Sequence, residues 1–129
     1  MPDEIDLLGG RRSMRAGANG QRPMRILLVD DHEISRAAIG ALLRTQGAEV
    51  ADLATGDAAL AVAIAFRPAV AIIDVTPADA TGFRLAGLLH ALPDGPAVVL
   101  TSSAGKRRFA TQLDSYRFIA KADLCVQTI

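Results

Sequence analysis

The stretch Arg25-Ile26-Leu27-Leu28-Val29-Asp30-Asp31 is the part of the sequence from which the rest of the fold can be worked out. A short apolar run that stops at charged residues is typical of a buried strand in a parallel sheet. Open α/β sheets bind their ligands just beyond the carboxyl ends of such strands. Two adjacent carboxylates repel each other unless a cation or hydrogen bonds compensate their charge. The stretch therefore predicts a strand that ends at a polar site.

Length and composition narrow the class of protein. The chain has 129 residues, with 14 Lys plus Arg against 14 Asp plus Glu, and one cysteine, Cys125. This is the length of one domain, and the balanced charge gives no reason to expect direct binding of nucleic acid. A single cysteine excludes a disulfide framework and a structural zinc cluster. No apolar run approaches the roughly 20 residues that cross a bilayer, and Met1-Pro2-Asp3-Glu4 has the wrong charge for a signal peptide. We expect a cytoplasmic protein that makes no contact with a membrane.

Residues 1–23 differ from the remainder of the chain. They are rich in glycine and polar residues and show no sustained periodicity, which predicts a flexible N-terminal tail followed by one folded domain at residues 24–129. Contact between the arginines of the tail and an acidic partner is one alternative. A start codon at Met24 is another.

Strands and helices are predicted to alternate. Further apolar runs that end on a polar residue occur at residues 70–74, 97–101 and 117–121, and a weaker strand is predicted at residues 49–54. Helices are predicted at residues 31–46, 58–66, 83–91 and 105–113. Five strands that alternate with helices predict an α/β fold with a parallel sheet covered on both faces. The residues after Lys121 suffice for about two turns of a fifth helix.

Within the first predicted helix, spacing predicts which residues face the sheet. Ile34, Ala38, Ala41 and Leu42 recur at helical spacing and are predicted to face inward. The arginines of the same helix, Arg36 and Arg44, are predicted to point away.

Polar residues end the predicted strands, and right-handed crossovers bring these ends to one edge of the sheet. The residues concerned are Asp30, Asp31, Asp74, Thr101 and Lys121. Three carboxylates suit a hard divalent cation such as Mg²⁺, while a hydroxyl and an ammonium group can hold phosphoryl oxygens. Asp30 and Asp31 begin a helix and are better placed to hold metal, so Asp74 is the preferred nucleophile. The set predicts an aspartyl phosphate as the product.

Several motifs, in this order, resemble the receiver domain of a two-component response regulator. They are Leu28-Val29-Asp30-Asp31-His32-Glu33, Asp74, Gly82, Thr101 and Phe118-Ile119-Ala120-Lys121-Ala122-Asp123-Leu124. The resemblance covers Met24 to about Leu124. It implies a flavodoxin-like, doubly wound, five-stranded parallel sheet, here with a short or missing fifth helix. The ending Lys121-Ala122-Asp123-Leu124 is similar to receivers that precede a helix-turn-helix DNA-binding domain.

The resemblance implies roles for the phosphoryl acceptor and its metal. Asp74 would accept a phosphoryl group from a histidine kinase or a phosphotransfer protein. Asp31 and Asp74 would bind Mg²⁺ directly and Asp30 through water, with the backbone carbonyl of Thr76 as a further ligand.

The resemblance also implies how the domain would respond. Lys121 would pair with Asp74 or its phosphoryl oxygen, while Thr101 would move toward the phosphoryl group and let Phe118 turn inward. The protein would then be a phosphoryl acceptor rather than an enzyme, apart from slow self-dephosphorylation. A separate protein would provide the output, and a homodimer is compatible with the family.

Three departures from the family pattern support an alternative function. Pro77 follows Asp74 by three residues where receivers usually have four, and Asp114-Ser115-Tyr116-Arg117 replaces a glycine-containing approach to the fifth strand. A short fifth helix is expected to expose apolar sheet surface. The displaced proline and the short C-terminus favour an interaction module that keeps the receiver fold without phosphorylation, whereas the intact set of five site residues counts against it. A Mg²⁺-dependent phosphohydrolase would need Asp-x-Asp on the first strand, and Asp30-Asp31-His32 does not provide it. Separately, His32 is predicted to be a surface residue beside the site.

Overall fold

The computed structural model describes residues 22–75, 81–102 and 116–129. The predicted tail up to residue 21, the loop with Thr76 and Pro77, and the predicted helix at residues 105–113 lie outside these ranges. The elements in chain order are β1 (Arg25–Val29), α1 (Glu33–Thr45), β2 (Glu49–Leu53), α2 (Ala59–Phe66), β3 (Val70–Asp74), α3 (Thr81–His90), β4 (Ala97–Thr101), β5 (Arg117–Phe118) and a C-terminal 3-10 helix (Lys121–Asp123). Across the described ranges, the helices are all too short or too polar to span a bilayer.

The sheet has five parallel strands in the order β2-β1-β3-β4-β5. The chain winds from β1 to β2 on one side and continues from β3 to β4 and β5 on the other, so the winding direction changes between β1 and β3. Such a change creates a crevice beyond the carboxyl ends of the two strands, where α/β proteins bind ligands. The register places Asp74 of β3 beside Thr101 of β4. The predicted doubly wound α/β fold is confirmed.

Apolar side chains fill the space on both faces of the sheet, because its central strands are buried on both sides. Helices α2 and α3 cover one face and α1 covers the other. The α2/α3-face cluster consists of Leu27, Val29, Ala59, Ala63, Ala71, Ile73, Val75, Leu85, Ala86, Leu89, Val98 and Leu100. The α1-face cluster consists of Ile26, Leu28, Ile39, Leu43, Ala48, Val70, Ile72, Val99, Ile119 and Leu124.

Helix α1 packs with a different face from the predicted one. The residues it buries are Ile39, Gly40 and Leu43, whereas Ile34 is 86% exposed and Leu42 is also exposed. Ala38 and Ala41 are exposed as well. The predicted inward stripe is therefore wrong, because apolar residues lie on more than one side of this helix and spacing alone does not select between them.

The segment after β5 covers the sheet without a long fifth helix. Strand β5 is shorter than predicted, and the 3-10 helix begins after two further residues, Ile119 and Ala120. Leu124 belongs to the α1-face cluster, and Val126 and Ile129 pack against it. The guanidinium of Arg117 donates a hydrogen bond to the Ile129 carbonyl (3.2 Å), and the Val126 amide donates one to Gln46 Oε1 (2.7 Å). The expected exposed sheet surface is thus covered by the chain itself.

Candidate functional site

Three carboxylates meet where the sheet changes its winding direction. Asp30 and Asp31 directly follow β1, and Asp74 is the last residue of β3, which neighbours β1 in the sheet. The Asp30 side chain is fully buried and that of Asp74 is 5% exposed, whereas Asp31 is open to solvent. These three carboxylates therefore lie together at one edge of the sheet, as their positions at the strand ends predicted.

Asp30 is fixed by its own turn and by α1. Its Oδ1 accepts a hydrogen bond from the His32 backbone N–H (2.9 Å), the local turn that aspartate favours before a helix. Ser35 Oγ donates to Asp30 Oδ2, and Arg36 Nη1 donates to the Asp30 carbonyl (2.8 Å). Burial opposes ionisation of Asp30, but the bonds from Ser35 and His32 and the charge of Lys121 together hold the pKa of Asp30 below its ordinary value. Arg36 therefore contacts this turn, although it was predicted to point away.

Lys121 supplies the positive charge among these carboxylates. Its Nζ lies 3.2 Å from Asp30 Oδ2 and 3.4 Å from Asp74 Oδ1, and it donates a hydrogen bond to Ser35 Oγ (2.9 Å). A mostly buried ammonium group is stable only where charged and polar partners replace its water. We call Asp30, Asp31, Asp74 and Lys121 the acidic pocket.

The electrostatic environment of Asp74 differs from that of Asp30. Burial raises the pKa of Asp74, and the negative charge of Asp30 adds to this effect. The charge and hydrogen bond of Lys121 and the nearby His32 act in the opposite direction without cancelling it. The positive charge near Asp74 consequently does not compensate fully for the cost of ionising it, and a bound cation would stabilise the carboxylate.

Sequence reasoning missed two residues that contact the acidic pocket. His32 was predicted to be a surface residue, and its side chain is 60% exposed, yet Nδ1 lies 3.2 Å from Asp31 Oδ1 and 3.5 Å from both Asp30 Oδ1 and Asp74 Oδ2. Ser35 bridges Asp30 and Lys121. Ser35 lies in the first turn of α1, five residues after Asp30, and this closeness in sequence was the available signal.

Thr101 and Phe118 flank the pocket in different ways. Thr101 is fully buried beside Asp74, and its Oγ1 has no hydrogen-bond partner among the residues that the structure describes. Phe118 is half-buried, pairs with Leu100 in the sheet and packs against the α2/α3-face cluster. Thr76, the predicted carbonyl ligand, lies outside the described ranges.

The donor atoms of the pocket fit a divalent cation. One ligand atom from each of Asp30, Asp31, His32 and Asp74 lies within 4.8 Å of the others. Ligands bound about 2.1 Å from one Mg²⁺ ion in octahedral geometry are about 3 to 4.2 Å apart, so small side-chain movements would bring these atoms into coordination range. Carboxylates that leave room for water and phosphate oxygens are the usual protein ligands of Mg²⁺.

Three features of the structure together define its class of protein. They are the doubly wound sheet, the acidic pocket at the ends of β1 and β3, and the lysine after β5, and they are the features of response regulator receivers. The family model of the response regulator receiver domain matches residues 26–123, and the chain belongs to this family. It is therefore a receiver domain of two-component signalling, as the sequence motifs predicted.

Comparisons with individual proteins agree with this assignment. A protein-glutamate methylesterase/protein-glutamine glutaminase from Anaeromyxobacter dehalogenans is 39% identical over 88 residues, which are 67% of this chain and 26% of that protein. The chain thus spans about a quarter of this relative's length.

Solved structures show the same fold at low sequence identity. A CheY-like receiver domain from Methylobacillus flagellatus is 22% identical, with a TM-score of 0.66 over 78% of this chain and 92% of that one. A response regulator from Desulfuromonas acetoxidans is 24% identical, with a TM-score of 0.66 over 81% and 89%. A response regulator from Thermotoga maritima, in complex with Mg²⁺ and BeF, is 20% identical, with a TM-score of 0.64 over 75% and 85%.

Proposed function

We propose that Asp74 accepts a phosphoryl group from a histidine kinase or a phosphotransfer protein in a reaction that requires Mg²⁺, and that the phosphorylated domain presents an altered surface to its output partner. The observation that carries the proposal is the position of Asp74. Its carboxylate is nearly buried at the switch point of the sheet, 3.4 Å from Lys121 Nζ and beside the Asp30-Asp31 pair.

The chemical step is an in-line displacement at phosphorus. A carboxylate oxygen of Asp74 attacks the phosphorus atom of the donor, and the bond from phosphorus to the donor's imidazole nitrogen breaks, with its electron pair leaving on that nitrogen. The products are an aspartyl phosphate and a neutral histidine, because the imidazole nitrogen takes up one proton from solvent as its bond to phosphorus breaks. Lys121 Nζ, already next to Asp74 Oδ1, is placed to contact an oxygen of the transferred group.

The metal would be held by the acidic side of the pocket. Asp31 and Asp74 are its direct ligands in this proposal and Asp30 acts through water, with the Thr76 carbonyl as a further ligand. Bound Mg²⁺ supplies positive charge to the phosphoryl oxygens as the donor bond breaks. The response regulator from Thermotoga maritima, which has the same fold, is in complex with Mg²⁺ and BeF, and this supports Mg²⁺ as the ion.

A cavity of about 280 Å³ gives access to Asp74 from the α2/α3 side. Asp31 and Asp74 line it together with Thr55, Gly82 and Leu85. Its wall of mixed polar and apolar groups leaves room for a small phosphodonor next to the carboxylate.

The response to phosphorylation would pass through Thr101 and Phe118. A buried hydroxyl without a partner is unfavourable, and a phosphoryl oxygen on the neighbouring Asp74 would give Thr101 Oγ1 an acceptor. Movement of Thr101 toward Asp74 would free space for Phe118 to turn inward. The phosphoryl group then favours one of two packings, which is how a local charge change becomes a different surface. Slow attack of water on the aspartyl phosphate would reset the domain.

The test is phosphorylation of the full chain by a small phosphodonor. The protein is incubated with Mg²⁺ and acetyl phosphate and its intact mass is measured, alongside Asp74→Asn and a matched control, Asp94→Asn, in an exposed turn away from the pocket. We expect the parent and Asp94→Asn to gain one phosphoryl group, with acetate released, and Asp74→Asn to gain none. A folded parent that gains none would overturn the proposal in favour of an interaction module that works without phosphorylation.

A further inference from the structure

We propose that His32 makes the acidic pocket a site for divalent transition-metal ions such as Ni²⁺, by supplying imidazole Nδ1 as a ligand beside the carboxylates. The inference rests on the proposed function, because it takes the pocket to be a cation site. It goes beyond that function in the residue that binds the ion and in the class of ion that is bound.

The position of the imidazole carries the inference. Nδ1 of His32 faces three carboxylates at once, at 3.2 Å from Asp31 and 3.5 Å from both Asp30 and Asp74. It is one of the four ligand atoms that lie within 4.8 Å of one another. The hydrogen bond from the His32 N–H to Asp30 Oδ1 fixes the backbone of His32, and this keeps the imidazole ring next to the carboxylates.

A second observation, independent of the carboxylates, indicates that the pocket takes a ligand. Thr101 Oγ1 is fully buried beside Asp74, on the same face of the sheet, and lacks a hydrogen-bond partner within the described ranges. Buried hydroxyl groups are normally paired, so an unpaired one at this place is explained by a group that binds next to it.

The chemistry of the donor set decides which ions benefit. Mg²⁺ is bound by oxygen ligands and gains little from an imidazole, whereas Ni²⁺ and Zn²⁺ bind imidazole nitrogen well and exceed the earlier first-row divalent ions in affinity for mixed nitrogen and oxygen sites. Three carboxylates also attract any divalent cation. Adding one imidazole to them should therefore strengthen binding of the transition-metal ions far more than that of Mg²⁺. His32 is largely exposed, so such an ion reaches it without opening of the core.

The chain offers a matched control for the test. It contains two histidines, and the second, His90, lies at the end of α3 with its ring edge against Tyr116. Binding of NiCl₂ and of MgCl₂ to the untagged parent, His32→Ala and His90→Ala is measured by titration calorimetry. We expect the parent to bind Ni²⁺ at least about 100-fold more tightly than Mg²⁺, and His32→Ala to weaken Ni²⁺ binding at least about tenfold with less than about a threefold effect on Mg²⁺. His90→Ala should retain the Ni²⁺ affinity of the parent.

A spectroscopic readout locates the ion directly. Paramagnetic Ni²⁺, added below stoichiometric amounts, should broaden the imidazole proton signals of His32 and leave those of His90 sharp. Equal Ni²⁺ affinity of the parent and His32→Ala would overturn the inference. Tighter binding by His32→Ala would do the same, because the imidazole would then be a competitor of the ion and not its ligand.

The two proposals fail separately. Phosphorylation of the parent by acetyl phosphate in Mg²⁺ alone reports on Asp74, whichever ion His32 prefers. A parent that is phosphorylated but shows no Ni²⁺ binding that depends on His32 refutes only the inference about His32. A parent that binds Ni²⁺ through His32 but gains no phosphoryl group refutes only the proposed function.

Discussion

Gly82 sets how closely α3 approaches the end of β3. A methyl group at this position would lie 2.7 Å from Val75 Cγ1 and 3.3 Å from the Asp74 carbonyl oxygen. The first distance is too short for two carbon atoms, so either the Val75 side chain or the helix has to move. Val75 is 2% exposed and belongs to the α2/α3-face cluster, which leaves its side chain little freedom.

We therefore expect Gly82→Ala to destabilise the domain, although alanine is the better helix former. Overpacking of a filled core costs about 1–3 kcal/mol, while replacing glycine by alanine in a helix gains at most about 1 kcal/mol. The expected net loss in the free energy of unfolding is up to about 2 kcal/mol, and each kcal/mol lowers Tm by roughly 4 °C in a domain of this size. Urea unfolding followed by circular dichroism measures it.

A double variant tests whether Val75 is the cause. Val75→Ala alone should cost about 1.6 kcal/mol for the loss of two buried carbon groups, before any cavity cost. If the two side chains collide, Val75→Ala/Gly82→Ala will be more stable than the sum of the single changes by about 1 kcal/mol. Additivity within about 0.5 kcal/mol, or a Gly82→Ala variant as stable as the parent, would refute the steric argument.

Three further changes probe the pocket in metal-free buffer. Folding raises the pKa of Asp74, so the ionised carboxylate lowers the stability of the domain above that pKa, and this penalty disappears as the pH falls through it. Asp74→Asn should therefore raise the urea midpoint at pH 7 and have less effect near pH 4. A lower midpoint at pH 7 would contradict this. Ser35→Ala removes the bonds to Asp30 and Lys121 and should cost about 1–3 kcal/mol in urea unfolding, whereas Ser35→Thr, which keeps the hydroxyl, should cost less. Thr101→Val removes a buried hydroxyl that has no partner among residues 22–75, 81–102 and 116–129, and it should raise stability by about 1 kcal/mol in thermal unfolding. A loss of that size would show that the hydroxyl has a partner.

The strands could be predicted closely because burial on both faces makes them continuous apolar runs. The predicted bounds of β3 and β4, residues 70–74 and 97–101, are those observed. Right-handed crossovers between parallel strands place the carboxyl ends of the strands at one edge of the sheet, which brings the predicted carboxylates and Lys121 together. Where polar residues terminate buried strands, sequence order is enough to assemble a site.

The face of α1 could not be predicted in the same way. Its alanines and scattered aliphatic residues allow more than one inward stripe, and the rotation of the helix is set by the turn at Asp30. That turn depends on two hydrogen bonds to the Asp30 carboxylate, one from the His32 backbone N–H and one from Ser35 Oγ, which have no periodic signal in the sequence. The same bonds explain why the contacts of His32 and Ser35 with the pocket were missed.

Lys121 lies in a C-terminal segment that is attached less firmly to the domain than the central strands are. The central strands pair with neighbours on both sides, whereas β5 has two residues at the edge of the sheet. The segment that follows is held by the packing of its apolar side chains on the α1-face cluster and by the hydrogen bond from the Val126 amide to Gln46. Segments with few anchors open locally at a lower free energy than the whole domain. Opening here would take the ammonium group away while leaving Asp30 and Asp74 in the sheet. We therefore expect the charge balance of the pocket to follow the local stability of residues 117–129, which amide hydrogen exchange in that segment measures.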